Sequence, residues 1–259
     1  MITIASSAKP GPVAVAAPST IAVASVDVEW SKNYRVKNGN IPFCYSVIWL
    51  TTPASGPPVS LDEIGFRYLS VYVEDPAETQ DLIASADHSL RHVLGTADLI
   101  AGHQLCSDLA VLTNAASDQP RAVAQLRAAW RQRREPGPAR PSVIDTRYDI
   151  GHLLAGGSRR LVDVCADLCL DVTQPELRGT SMSALHRRWL QTGDVSAREK
   201  ISVLNLRHSL STALAASYAA GLSRRDAGLN VNQMLAVGLG EAFAWTAGPA
   251  FTSLLVDRP

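Results

Sequence analysis

Ile21-Ala22-Val23-Ala24-Ser25-Val26-Asp27-Val28-Glu29 runs from apolar, largely β-branched residues into two carboxylates. Such a run reads as a buried strand over residues 21–28 that delivers acidic side chains at its end. In a strand, residues two apart project to one face, so Asp27 and Glu29 can reach a single cation. A rigid strand end suits a metal site, and oxygen ligands suit Mg²⁺ and Mn²⁺. A solvated acidic pair is the plainer reading of the same residues.

Working outward, a polar stretch with Gly39 as its turn leads to expected strands over residues 41–51 and 66–73. The loop between them carries Pro53, Gly56, Pro57 and Pro58, which gives an antiparallel start to a sheet. Helical spacing begins after Asp75-Pro76, Pro being suited to a first turn. The pattern predicts a helix over 77–94, a short strand over 98–101, helices over 107–116 and 120–134, and a strand over 142–144. From Arg147 onward it is mostly helical, with breaks near Gly156, Pro175 and Gly193 and one long helix over 199–220. This order specifies an α/β fold with a mixed sheet covered by helices. Residues 1–20 read as a flexible leader, 21–221 as one domain, and 222–259 as a loosely helical C-terminal extension.

Hydrophobic residues at 46% and charged residues at 19% fit a globular protein. Lys+Arg and Asp+Glu both number 24, so the chain lacks the basic balance of a protein that grips long nucleic acid. That balance points to a short substrate or to a locally concentrated patch. Cys44, Cys106, Cys165 and Cys169 form no CxxC pair and read as reduced, mostly buried thiols of a cytoplasmic protein. Pro10, Pro12 and Pro18 interrupt the apolar N-terminal run, which also lacks the basic start of a secretory signal. No stretch has the about 18 uninterrupted apolar residues of a membrane span.

A second motif is Ile100-Ala101-Gly102-His103-Gln104-Leu105-Cys106-Ser107-Asp108-Leu109. A strand ends at Gly102, a polar turn follows, and Asp108 sits near a helix start, aimed back toward the sheet. Alone, Asp108 reads as a helix cap or a partner of the helix dipole. Taken together, the two motifs resemble the DEDD superfamily of proofreading-type 3′–5′ exonucleases, which has an RNase-H-like fold. Asp27 and Glu29 match that family's D-x-E, and Ala101, Gly102, His103, Asp108 and Leu109 match its A-G-H-N-x-x-x-D-L, with Gln104 in place of Asn. Val143-Ile144-Asp145-Thr146 resembles the next strand, and the resemblance runs over about residues 21–220.

The third motif departs from the family. Leu204-Asn205-Leu206-Arg207-His208 lies where the family has Y-x-x-x-D or H-x-x-x-x-D. Against the first pattern, Leu204 replaces Tyr and His208 replaces Asp; against the second, His208 matches and Ala213 replaces Asp. Either way the fourth acid is missing.

The resemblance implies Asp27, Glu29 and Asp108 as ligands of Mg²⁺ or Mn²⁺ and as catalytic residues, joined by His208 as auxiliary ligand or general base. Trp30, His103 and Asn205 are the candidate substrate contacts. Trp30 and Tyr34 follow the first motif, where a base can stack. Asp145 is read either as orienting a metal-bound water or as capping a helix. Arg127, Arg131, Arg133, Arg134 and Arg140 form a basic run that reads first as a solvated helix face and second as a phosphate track. Three functions remain open: an exonuclease acting on the 3′ end of single-stranded DNA or RNA, an enzyme on the same scaffold acting on a small nucleotide or phosphorylated molecule, and a nucleotide- or nucleic-acid-binding module without catalysis.

Overall fold

The structure, a computed structural model, describes residues 2–7, 19–31, 39–135, 141–225 and 228–256. Most of the expected leader, together with Tyr34 and Arg140, lies outside them. The first seven strands are β1 (Thr3–Ser6), β2 (Thr20–Ser31), β3 (Ile41–Pro53), β4 (Val59–Ser60), β5 (Phe66–Tyr72), β6 (Leu99–Gly102) and β7 (Ser142–Asp145). All but β4 join one sheet in the order β1-β5-β3-β2-β6-β7. The β2, β3 and β5 strands pair antiparallel as a meander, and β1 pairs antiparallel with β5. The β2–β6 and β6–β7 pairs are parallel. Parallel neighbours need crossovers. These are α1 (Thr79–Thr96) between β5 and β6, then α2 (Leu105–Ala115) and α3 (Arg121–Gln132) between β6 and β7. The fold is therefore α/β, with a mixed six-stranded sheet flanked by helices.

The remaining elements are α4 (Leu161–Asp167), β8 (Leu170–Asp171), α5 (Met182–Thr192), α6 (Val195–Ala219), β9 (Ser223–Arg224), β10 (Leu229–Asn230), α7 (Val231–Leu239) and α8 (Pro249–Thr252). The region after Arg147 is thus more broken than its helical pattern predicts. Two small parallel pairs, β10–β8 and β4–β9, stitch it together.

The alternation of β2 decides what lies on each side of the sheet. Ala24, Val26 and Val28 pack with Leu82, Leu90, Leu109 and Leu126 in one apolar layer. Val23 packs with Leu206, Leu210, Val231 and Phe251 in the other. Since successive side chains alternate, Asp27 and Glu29 share the Val23 side, which α6 covers. Helix α6 is buried almost all round, as a helix crossing the middle of a domain must be. Between Ile201 and Ser217, His208 is the one residue that is not buried. Asp194 caps this helix by accepting from the Ala197 amide.

Three expectations are corrected. First, the carboxylates do not end their strand: β2 continues to Ser31, and a register shift between Glu29 and Trp30 turns the chain just past them. Second, Thr3–Ser6 of the expected flexible leader forms the edge strand beside β5. Third, the C-terminal region is not a loose extension, because Val231, Leu235, Phe243, Trp245 and Phe251 enter the same core as α6. Gly238 is needed there: a Cβ would meet the Phe66 ring at 2.1 Å. All four cysteines are unpaired; Cys44 and Cys165 are buried, Cys106 partly so, and Cys169 is exposed. Among the described residues, no helix is long and apolar enough to cross a membrane.

Candidate metal centre

Ligand atoms of Asp27, Glu29 and His208 lie within 4.8 Å of one another. His208 Nδ1 is 3.2 Å from Glu29 Oε1 and 3.6 Å from Asp27 Oδ2. The side chains keep 13%, 17% and 18% of their surface for Asp27, Glu29 and His208, so the group is recessed yet reachable. Residues three apart on a helix share a face. Asn205 accordingly joins His208 over β2, and its Nδ2 donates to Asp27 Oδ2 at 2.6 Å. Cys44, opposite Glu29 on β3, donates its thiol to Asn205 Oδ1 at 3.6 Å. The Ser46 hydroxyl donates to the Asn205 carbonyl at 3.1 Å and lies 2.7 Å from the Ser209 hydroxyl, which fixes α6 on the sheet.

Electrostatics set the protonation state. Burial pushes the His208 imidazole down, but hydrogen bonds and charge from Asp27 and Glu29 outweigh it and lift the pKa to about 10. The imidazole is therefore protonated at neutral pH. The expectation of His208 as a general base gives way for the metal-free protein, because an imidazolium has no lone pair to accept a proton. Burial raises the Glu29 carboxyl, the His208 hydrogen bond opposes it, and the Asp27 charge adds to it. Burial, followed by the charges of Glu29 and Asp27, also holds the Cys44 thiol well above its ordinary range.

Asp108 stands in the first turn of α2, at 3% exposure. Its carboxyl is raised well above the usual range by burial first and then by the charges of Asp27, Glu29 and Asp145, against a hydrogen bond from the Val28 backbone. Its Oδ2 is buried without a hydrogen-bond partner. Asp108 is not among the three residues whose ligand atoms group within 4.8 Å. The expected ligand triad is thus altered: the tight group is two carboxylates and an imidazole, with Asp108 as a neighbour through its charge. These residues fit a divalent cation in two respects. Asp27 and Glu29 offer oxygens at one point, and Asp108, which feels their charge, keeps one oxygen without a partner, a set that could accept a cation. Were His208 to give up its proton to bind, the imidazole would suit Mn²⁺ better than Mg²⁺.

Other candidates fall elsewhere. Asn205 has no exposed surface, so it supports Asp27 and does not meet a substrate. His103 Nδ1 lies 2.9 Å from the Thr146 hydroxyl, and burial lowers its pKa to about 4, leaving a neutral ring that fastens the turn after β6. Asp145 is wholly buried and accepts from the amides of Gln104, Leu105 and Arg147 and from Trp130 Nε1, all within 3.1 Å. It closes the N-terminus of α2 and has no free oxygen with which to orient a metal-bound water. Trp30 is half-buried and borders a pocket of about 200 Å³ with Asn40, Ser107 and Asn114. Arg133 and Arg134 pair with Asp149 at 2.7 Å, which takes them out of any phosphate track.

Ala213 lies in the apolar core, while His208, three residues after Asn205, faces Asp27. Sequence reasoning missed Gln174, whose Oε1 is 3.5 Å from His208 Nε2. No local pattern marks it, because the contact spans 34 residues. The chain matches no family model, no curated protein and no solved structure.

Proposed function

We propose that the protein is a divalent-cation-dependent phosphodiesterase that removes nucleotides from the 3′ ends of single strands, in the manner of the DEDD exonucleases it resembles. One observation carries the reading. Two carboxylates from β2 and an imidazole from α6 meet within charge reach of a buried carboxylate from α2 that has an unpartnered oxygen. Asp27 and Glu29 would hold the cation, with His208 as auxiliary ligand and Asp108 adding negative charge beside them. Bound there, a cation lowers the pKa of water and stabilises charge on a phosphoryl oxygen. The chain's own part is positional: Asn205 fixes the Asp27 rotamer, and the rigid strand fixes Glu29. Trp30, beside Ser107 and Asn114, offers the terminal base a stacking surface.

A second reading, a nucleotide- or nucleic-acid-binding module without turnover, is favoured by one feature. The His208 imidazolium already neutralises part of the charge that would attract a metal. Incubation with Mn²⁺ or Mg²⁺ and three substrates separates the readings: a labelled single strand, a dinucleotide and p-nitrophenyl thymidine phosphate. Shortening of the strand from its 3′ end, abolished by Asp27→Ala, supports the exonuclease. Cleavage of the small esters alone supports an enzyme of small nucleotides. Binding without turnover, unchanged by Asp27→Ala, supports the module. His208→Asp would put a carboxylate beside Asp27 and Glu29 and is expected to raise Mg²⁺-dependent hydrolysis.

A further inference from the structure

Gln174 belongs to two places at once. Its Oε1 meets His208 Nε2 at 3.5 Å, and its side chain also lines a cleft of about 690 Å³ between α4, β8 and the turn Pro175–Leu177. That volume suits a small organic ligand. Val162, Ala166 and Leu177 supply apolar wall, and Arg160 and Arg178 supply two guanidinium groups. Arg178 is exposed and makes no ion pair among the described residues. Arg160 reaches Asp163 only at 3.8 Å, with 76% and 42% of the two side chains in solvent, a pairing of little strength. Asp171 is the one carboxylate in the lining, and its Oδ1 is occupied by the amide and hydroxyl of Thr173.

The cleft is also fastened to the carboxylate centre. Glu176 pairs with Arg207 at 2.7 Å, with no exposure on either side chain, and Arg207 immediately precedes His208 on α6. The segment carrying Gln174 and Arg178 is thus pinned to the same helical turn that presents His208 to Asp27 and Glu29.

We propose that this cleft is a nucleotide subsite, taking the unit next to the bond cut at the carboxylates. Its base rests on Val162, Ala166 and Leu177, and its phosphate on Arg160 and Arg178. Planar guanidinium groups suit phosphate, and the apolar wall suits a base of any identity. The position beside the scissile bond rests on the phosphodiesterase reading; the binding of a nucleotide does not. It follows that a dinucleotide is a better substrate than a p-nitrophenyl ester, by a lower KM.

Cys169 is an exposed thiol in the lining and serves as the reporter. The intact protein is treated with N-ethylmaleimide in EDTA, with and without adenosine 5′-monophosphate, and modified peptides are counted by mass spectrometry. Cys106, the other thiol with solvent contact, is the internal reference. The nucleotide is expected to slow modification of Cys169 and not of Cys106. Arg160→Ala and Arg178→Ala, both at exposed side chains, should each raise the half-protecting concentration roughly tenfold. Asp27→Asn should leave it unchanged. Equal rates with and without nucleotide, or protection that survives both arginine substitutions, would overturn the subsite. Arginine-dependent protection in a protein that hydrolyses no phosphodiester would sink the phosphodiesterase reading and leave the nucleotide site standing.

Discussion

Asp108 and Asp145 are both buried carboxylates near the N-terminus of α2, and they are treated in opposite ways. Asp145 receives hydrogen bonds from Gln104, Leu105, Trp130 and Arg147. Asp108 keeps Oδ2 without any partner. Burial raises both carboxyls, but around Asp145 the hydrogen bonds oppose it, whereas around Asp108 the charges of Asp27 and Glu29 add to it. A satisfied buried acid rigidifies a fold; one with an unpartnered oxygen among like charges carries a cost that a proton or a bound cation would remove. The same residue type thus serves architecture in one place and, on the proposed function, would face a cation in the other.

The sharpest way to break this contrast is Asp145→Ala. Several buried donors would lose their acceptor, so a loss of roughly 3–5 kcal/mol is expected in urea unfolding. A loss under about 1 kcal/mol would remove the architectural role. Asp108→Asn should do the reverse to the fold. It removes a carboxyl that burial and like charges make costly to ionise, so the metal-free protein should gain about 1 kcal/mol at pH 7, while Mn²⁺ affinity by calorimetry falls roughly 10–100-fold. The sign follows from the raised carboxyl: Asp108 is least costly when protonated, so the gap between the two proteins should close as pH falls toward the unfolded value of 3.8.

His208 gives a smaller, pH-resolved effect. Its folded pKa of about 10 lies above the unfolded 6.5, so its ion pairing stabilises fully below pH 6.5 and is lost as pH rises through about 10. Thermal melts of the wild type and His208→Gln should differ most near pH 6 and converge near pH 10. Smallest is Gln104→Asn. Gln104 sits at φ 65°, a left-handed conformation that Asn tolerates better, so a gain of about 0.5 kcal/mol in denaturant unfolding is expected. A loss there would mean that the Gln104 Nε2 bond to Ser107 outweighs the backbone strain.

Much of the sheet was legible because its strands are long or framed by turns. The alternation of β2 and the Pro-Gly-rich loop before β5 located three antiparallel strands to within a few residues. The edge strand Thr3–Ser6 was not legible, since four residues carry no periodicity and gain their conformation from pairing with β5. The C-terminal region misled for a related reason. Its small residues read as looseness, yet Gly238 is small because the Phe66 ring lies against it. Asn205 was taken for a substrate contact because its place in a motif says nothing of its burial.

By itself, the sequence determined the α/β order of elements, the shared face of Asp27 and Glu29, and the place of His208 on a long helix after them. These follow from local periodicity and spacing, which a single chain segment already contains. Only the tertiary structure decided that Asn205 and His208 reach back across about 180 residues to the two carboxylates, that Asp145 is spent on backbone amides, and that Asp108 is left unsatisfied. The reason is physical: hydrogen bonding and burial depend on which donors surround a carboxylate in space, and those donors come from elements far apart in the chain.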